Sequence, residues 1–162
     1  MDAVFSRLTG VFDRIAAITD RPRTLGFLIG APTTIVLAIA AWLTPAAQGF
    51  GTHMQLGLGG CAMLTMTGWP CPMCGMTTTF ALMAHFRLME ALVNQPFGVV
   101  LFALTVIGSV LGIADMVTGR GIIRAAFRWV GRREQLLALG LLFGMIGGWI
   151  YKSMRMHPGL FD

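Results

Sequence analysis

The stretch FGVVLFALTVIGSVLGIADM, Phe97–Met116, holds a single ionisable residue, Asp115, and that one stands near its end. Twenty residues of helix rise about 30 Å, the thickness of a bilayer's hydrocarbon core. The run is too long for a strand and too uniformly apolar for a soluble domain's surface helix, so it reads as a spanning helix over residues 96–116. Asn94-Gln95-Pro96 sets its start, because an Asx residue with a proline favours a turn.

Two further segments read the same way. Residues 24–44 run from an arginine-rich lead to Trp42, and Pro32 inside them should bend the helix because it offers no amide hydrogen. Residues 136–151 end in Trp149 and Tyr151, an aromatic belt beyond which Lys152 and Arg155 can snorkel. The small residues at Thr44-Pro45-Ala46-Ala47 could pass for a signal-peptidase site, but the charged lead is too long, so residues 24–44 read as an uncleaved anchor. The whole chain agrees: 56% of its 162 residues are hydrophobic and 12% charged, with a mean hydropathy of +0.74. The expected fold is all-α, an integral membrane helical bundle forming a single domain over residues 1–162.

The net charge of +5 does not point to nucleic acid, because the cations bracket apolar spans instead of forming a patch interleaved with stacking aromatics. Arg7, Arg14, Arg21 and Arg23 precede the first span; Arg120, Arg124, Arg128, Arg132 and Arg133 separate the last two. Residues 1–23 and 120–133 have the apolar spacing of two amphipathic surface helices, and they carry nine of the twelve cations. The positive-inside rule then places the N-terminus in the cytoplasm and anionic lipid against the Arg-rich face.

Residues 55–93 fit no span. Gln55–Thr67 is apolar but weakened by Gly57, Gly59 and Gly60, and a second apolar helix over Thr77–Val93 carries His85, Arg87 and Glu90. The pattern predicts a re-entrant or interfacial helical hairpin, on or dipping from the outer face, with Cys71 and Cys74 at its tip. Arg87 and Glu90, three apart, can pair. Gly140, Gly144 and Gly148 line one side of the last span and read as a packing ridge.

The chemistry of the chain lies in Trp69-Pro70-Cys71-Pro72-Met73-Cys74-Gly75-Met76-Thr77. Two thiols three positions apart share one side of a tight turn, which Pro72 stiffens and in which Gly75 can supply a positive φ. Thr77 or Thr78 can cap the following helix, whose dipole should favour the Cys74 thiolate. Three roles are open. Cys71 and Cys74, with Cys61 as a third ligand and His53 or His85 as a fourth, would suit a zinc ion. Cys71 and Cys74 could instead cycle as a disulfide, or hold the turn as a stable disulfide or as buried thiols. The nearby methionines, Met63, Met66, Met73, Met76, Met83 and Met89, read as core filling more than as soft-metal ligands.

At these residues the chain resembles domain-of-unknown-function family 2752, a family of small bacterial membrane proteins. Its pattern, a leading Cys, then T-G-x-x-C-P-x-C-G-[LM]-T-R, a short helix and an Asn-Pro turn opening a long span, is met here by Cys61, Thr67 to Thr77 and Asn94-Gln95-Pro96. Thr78 stands where the pattern has Arg, and Gln95 is inserted before Pro96. The resemblance implies a bacterial inner-membrane protein and the architecture above; it implies no activity. With no convergent set of acids, bases and nucleophiles, the residues favour an accessory or scaffolding subunit of a larger membrane complex, with other membrane subunits or its own copies as partners, over an enzyme. A thiol-based zinc or redox protein is the alternative.

Overall fold

A computed structural model describes residues 21–131 and 133–157, apart from the side chain of Glu134. The surface helix expected within residues 1–23 lies almost wholly outside them. The described residues form seven α-helices and one 3-10 turn, without strands. The helices are α1 Pro22–Trp42, α2 Ala62–Thr67, α3 Met76–Ala84, α4 Leu88–Asn94, α5 Pro96–Thr118, α6 Ile122–Gly131 and α7 Glu134–Met156, with the 3-10 turn at Thr52–Leu56. The segments Pro22–Trp42, Pro96–Thr118 and Gln135–Met156 are long and apolar enough to cross a membrane. The chain is therefore built as a multi-pass helical membrane protein. The last span is longer than its apolar core suggested, because the helix runs on through Lys152 and Arg155 to Met156.

The hairpin is more broken than the expected pair of helices. Its first arm is the 3-10 turn and the six-residue α2, separated by Gly57-Leu58-Gly59-Gly60, where Gly57 takes a φ of +75°. Its second arm breaks at His85-Phe86-Arg87. The Arg87 N–H reaches back to the Leu82 carbonyl at 2.9 Å and the Phe86 N–H to Met83 at 3.1 Å, the double bond that closes a helix on a left-handed residue. That residue is Phe86, at φ +60°, where glycine would be the unstrained choice.

The contacts divide the chain into two compact units. The first, Met1–Thr34 with Val106–Arg132, joins the start of α1, the end of α5 and α6. Its helices meet backbone to backbone: a Cβ on Gly26 would lie 2.6 Å from the Met116 nitrogen, and one on Gly30 would lie 2.9 Å from the Gly112 carbonyl carbon. Thr34 and Ser109 share a hydroxyl hydrogen bond of 2.7 Å beside this crossing. Asp115 is fully buried and accepts the N–H groups of Ile122 and Ile123 at 2.8 and 3.0 Å, so it caps α6 from the preceding helix.

The second unit, Ile35–Thr105 with Arg133–Asp162, holds the hairpin and α7. Its buried side chains include Leu43, Ala81, Leu82 and Ala91 alongside Thr52, Thr78, Thr79, Gln95 and Lys152, with Phe80 edge-on to Phe102 at 5.3 Å. The polar members must be hydrogen-bonded where they are buried, so hydrogen bonds as well as apolar contact set the packing. The Thr52 and Thr78 hydroxyls lie 2.8 Å apart and the Ala46 N–H donates to Thr52, which joins the loop after α1 to α3.

Candidate functional site

The cysteine turn is made by its backbone. The Cys74 N–H returns to the Cys71 carbonyl at 2.9 Å and the Met76 N–H to Met73 at 3.1 Å, with Gly75 at φ +86°. Gly75 itself, not Thr77 or Thr78, stands at the start of α3, and the Thr79 hydroxyl donates to its carbonyl at 3.0 Å. The helix begins earlier than expected because a left-handed glycine can enter it without a side-chain cap. A Cβ on Gly75 would also lie 2.8 Å from the Gly49 carbonyl oxygen, so only glycine lets the loop after α1 close over the turn.

Elements distant in sequence fasten this turn. The Trp149 indole N–H donates to the carbonyl of buried Pro70 at 2.7 Å, and the Tyr151 hydroxyl to Val93 at 2.8 Å. Lys152 donates from Nζ to the Gly49 carbonyl at 3.0 Å and to Asn94 Oδ1 at 2.6 Å, while Asn94 Nδ2 donates to the Gly75 carbonyl and to Thr79. Gln95 reaches the Pro72 carbonyl at 3.4 Å, and the His157 ring packs on Trp69 at 4.7 Å. The last turns of α7 thus act as a clamp, a role that the aromatic belt and snorkelling cations read from the sequence did not include. The overlooked signal was the density of hydrogen-bonding side chains, Trp149, Tyr151 and Lys152 near the end of one helix and His157 just beyond it.

Cys61, Cys71 and Cys74 are free thiols, and all three line a cavity of about 440 Å³ together with His53, Met54 and Met73. The thiols differ. Cys61, at the start of α2, is held below its ordinary pKa by the Leu64 N–H, with the Cys71 thiol adding to the effect. Cys71 is pushed up by burial and by sharing its proton with Cys61. Cys74 is pushed up to about 11 by burial, helped by its two thiol neighbours and opposed by Lys152. The expected low-pKa Cys74 is therefore reversed: burial outweighs a helix terminus, and the activated thiol is Cys61.

The four residues expected as metal ligands meet at one cavity, but they share its wall and not a coordination sphere. Among the described residues no group of three or more His, Cys, Asp or Glu side chains is set to hold a metal ion. His53 Nε2 lies 3.2 Å from the Gly59 carbonyl, and His85 Nδ1 lies 2.8 Å from Ala81 without lining the cavity. Arg87 and Glu90 pair on the surface, with Arg87 Nε 2.7 Å from the carboxylate. Along α7, Gly144 and Gly148 face Phe97, where a Cβ would come within 2.7 and 3.0 Å, and Gly140 has nothing within 4 Å.

Residues 61–108 match the family model described as Protein of unknown function (DUF2752). The resemblance read from the cysteine motif holds over this segment. No curated protein and no solved structure matches the chain. The matched segment begins on Cys61 and encloses all three thiols, the hairpin's second arm and the first half of α5. Within it, Thr78 is fully buried, its hydroxyl 2.8 Å from that of Thr52.

Proposed function

We propose that the protein is an integral protein of a bacterial inner membrane, N-terminus in the cytoplasm, that carries out thiol–disulfide exchange at the outer face. One observation carries this reading: Cys61, Cys71 and Cys74 are free thiols lining one cavity, and the Leu64 N–H holds the Cys61 thiol below its ordinary pKa. The Cys61 thiolate would attack a substrate disulfide, forming a mixed disulfide and releasing one substrate sulfur as thiolate, which takes up a proton. Cys71 would pass its proton to solvent and attack the Cys61 sulfur, releasing the second substrate sulfur. The substrate gains two electrons and the protein is left with a Cys61–Cys71 disulfide, which an external dithiol resets. The working pair is then Cys61 and Cys71, with Cys74 able to exchange onto Cys71.

The test is mild oxidation of the purified full chain, followed by alkylation and peptide mass mapping. A Cys61–Cys71 disulfide that dithiothreitol reverses is the expected result. An inert set of thiols, or stoichiometric zinc that protects all three from alkylation, would overturn the reading. A second reading, an accessory subunit in a larger membrane complex, draws support from the open Gly140 and Gly147 positions on α7, which leave room for another helix's backbone. It fails if the chain runs as a lone monomer from native membranes in every mild detergent.

A further inference from the structure

A second cavity, of about 570 Å³, opens beside the loop after α1, between that loop, α4 and the end of α7. Its charged lining is Arg87, Glu90, Lys152 and Arg155, three cations to one carboxylate, and the carboxylate is already spent on Arg87. Lys152 is 5% exposed. Its two hydrogen-bond partners, the Gly49 carbonyl and the Asn94 amide oxygen, are neutral, and an ammonium has three donors. Cys74 supplies no counter-charge near neutral pH, because its thiol keeps its proton to about 11. A buried cation with only neutral partners is costly and attracts an anion. Arg155, three residues on along the same helix face, stands exposed at the same cavity.

The rest of the lining narrows the ligand. Leu82, Val93 and Met156 give the cavity an apolar side next to the cationic one. The cavity lies at the C-terminal end of a helix long and apolar enough to cross a membrane, and the end of such a helix meets the headgroup region. We propose that it binds the phosphate of an anionic amphiphile, with Lys152 and Arg155 as the phosphate ligands and the apolar side against the chain. The phosphate could come from a lipid headgroup or from free phosphate. This site is distinct from the Arg-rich α6 face, where anionic lipid was expected from sequence.

The test uses the full chain in uncharged detergent, with saturable binding of dihexanoyl phosphatidic acid measured against dihexanoylglycerol and inorganic phosphate. Phosphatidic acid should bind tighter than dihexanoylglycerol. Arg155→Gln, an exposed change that leaves the fold intact, should weaken it about tenfold, the loss of one charged hydrogen bond. Arg128→Gln on α6 should leave it unchanged. If inorganic phosphate binds as tightly as phosphatidic acid and is equally sensitive to Arg155→Gln, the phosphate site stands and its source is free phosphate. Equal binding of dihexanoylglycerol, insensitivity to Arg155→Gln, or an equal loss in Arg128→Gln would overturn the proposal.

Discussion

Trp149 and Pro70 stand 79 residues apart, yet the indole N–H of the one lies 2.7 Å from the carbonyl oxygen of the other. Proline has no amide hydrogen to anchor it and Pro70 is fully buried, so this bond fixes the entry to the cysteine turn. Trp149→Phe keeps most of the ring and strands the Pro70 oxygen. A buried acceptor left without its donor costs about 1–3 kcal/mol. The expected outcome is a lower melting temperature together with faster maleimide labelling of Cys74, read by peptide mass mapping. Unchanged labelling of Cys74 would show that the turn is held without Trp149.

The thiols should also separate by pH. Cys61, with its pKa lowered, should be alkylated first near neutral pH; Cys74 should be last, with a rate still climbing as pH approaches 11. The sign for stability follows. A thiol whose folded pKa is raised binds its proton more tightly in the native state, so its contribution is complete below the unfolded value near 9.0 and falls away as pH rises to about 11. The loss is on the order of 2 kcal/mol. Cys74→Ala should flatten this alkaline limb of the melting temperature; an alkaline limb of equal steepness in the variant would assign it to another group.

Much of this was readable in advance, for definite reasons. An apolar run of twenty residues has essentially one stable form in lipid, so the span at Phe97–Met116 was legible within two residues at its C-terminal end. The cysteine turn was legible because Pro72 and Gly75 restrict the backbone wherever they occur. The acidities of Cys61 and Cys74 were not, because they depend on burial and on which N–H groups point at the sulfur. The hydrogen bonds of Lys152 were not legible for the same reason. Its partner Gly49 is 103 residues away, and no local pattern shows that a lysine at the end of a span is also hydrogen-bonded under a loop. The breaks at Gly57–Gly60 and Phe86 lay in segments whose apolar composition alone looked helical.

The glycine pairs make a sharper test, because spacing alone treats them alike. A Cβ on Gly112 would strike the backbone of Gly30, which cannot move as a side-chain tip can. Gly112→Ala should therefore cost about 1–3 kcal/mol as overpacking. Gly140 has nothing within 4 Å, and Gly140→Ala should leave stability unchanged or raise it slightly, since alanine is the better helix former. Thermal unfolding of both variants in the same detergent decides it. Equal losses would mean that Gly140 is covered by a second chain, the outcome that favours the accessory-subunit reading, and Gly140→Leu would then release that partner.

Asp115 carries the last test. A carboxylate inside an apolar span invites a role in proton movement, but its oxygens are already committed, Oδ1 to the Ile122 N–H and Oδ2 to the Ile123 N–H. Both are first-turn amides of α6, which have no partner within their own helix. Asp115→Asn keeps the shape and one acceptor but turns the other into a donor facing a donor. The cost should be about 1–2 kcal/mol, that of losing a cap and stranding a buried N–H. Because the loss falls on α6, its effect should be local: limited trypsin digestion should cut faster at Arg124 and Arg128, while alkylation of the cysteines stays as in the parent chain. If instead cysteine reactivity changes and the α6 sites stay protected, Asp115 serves the thiol site and not the helix it caps.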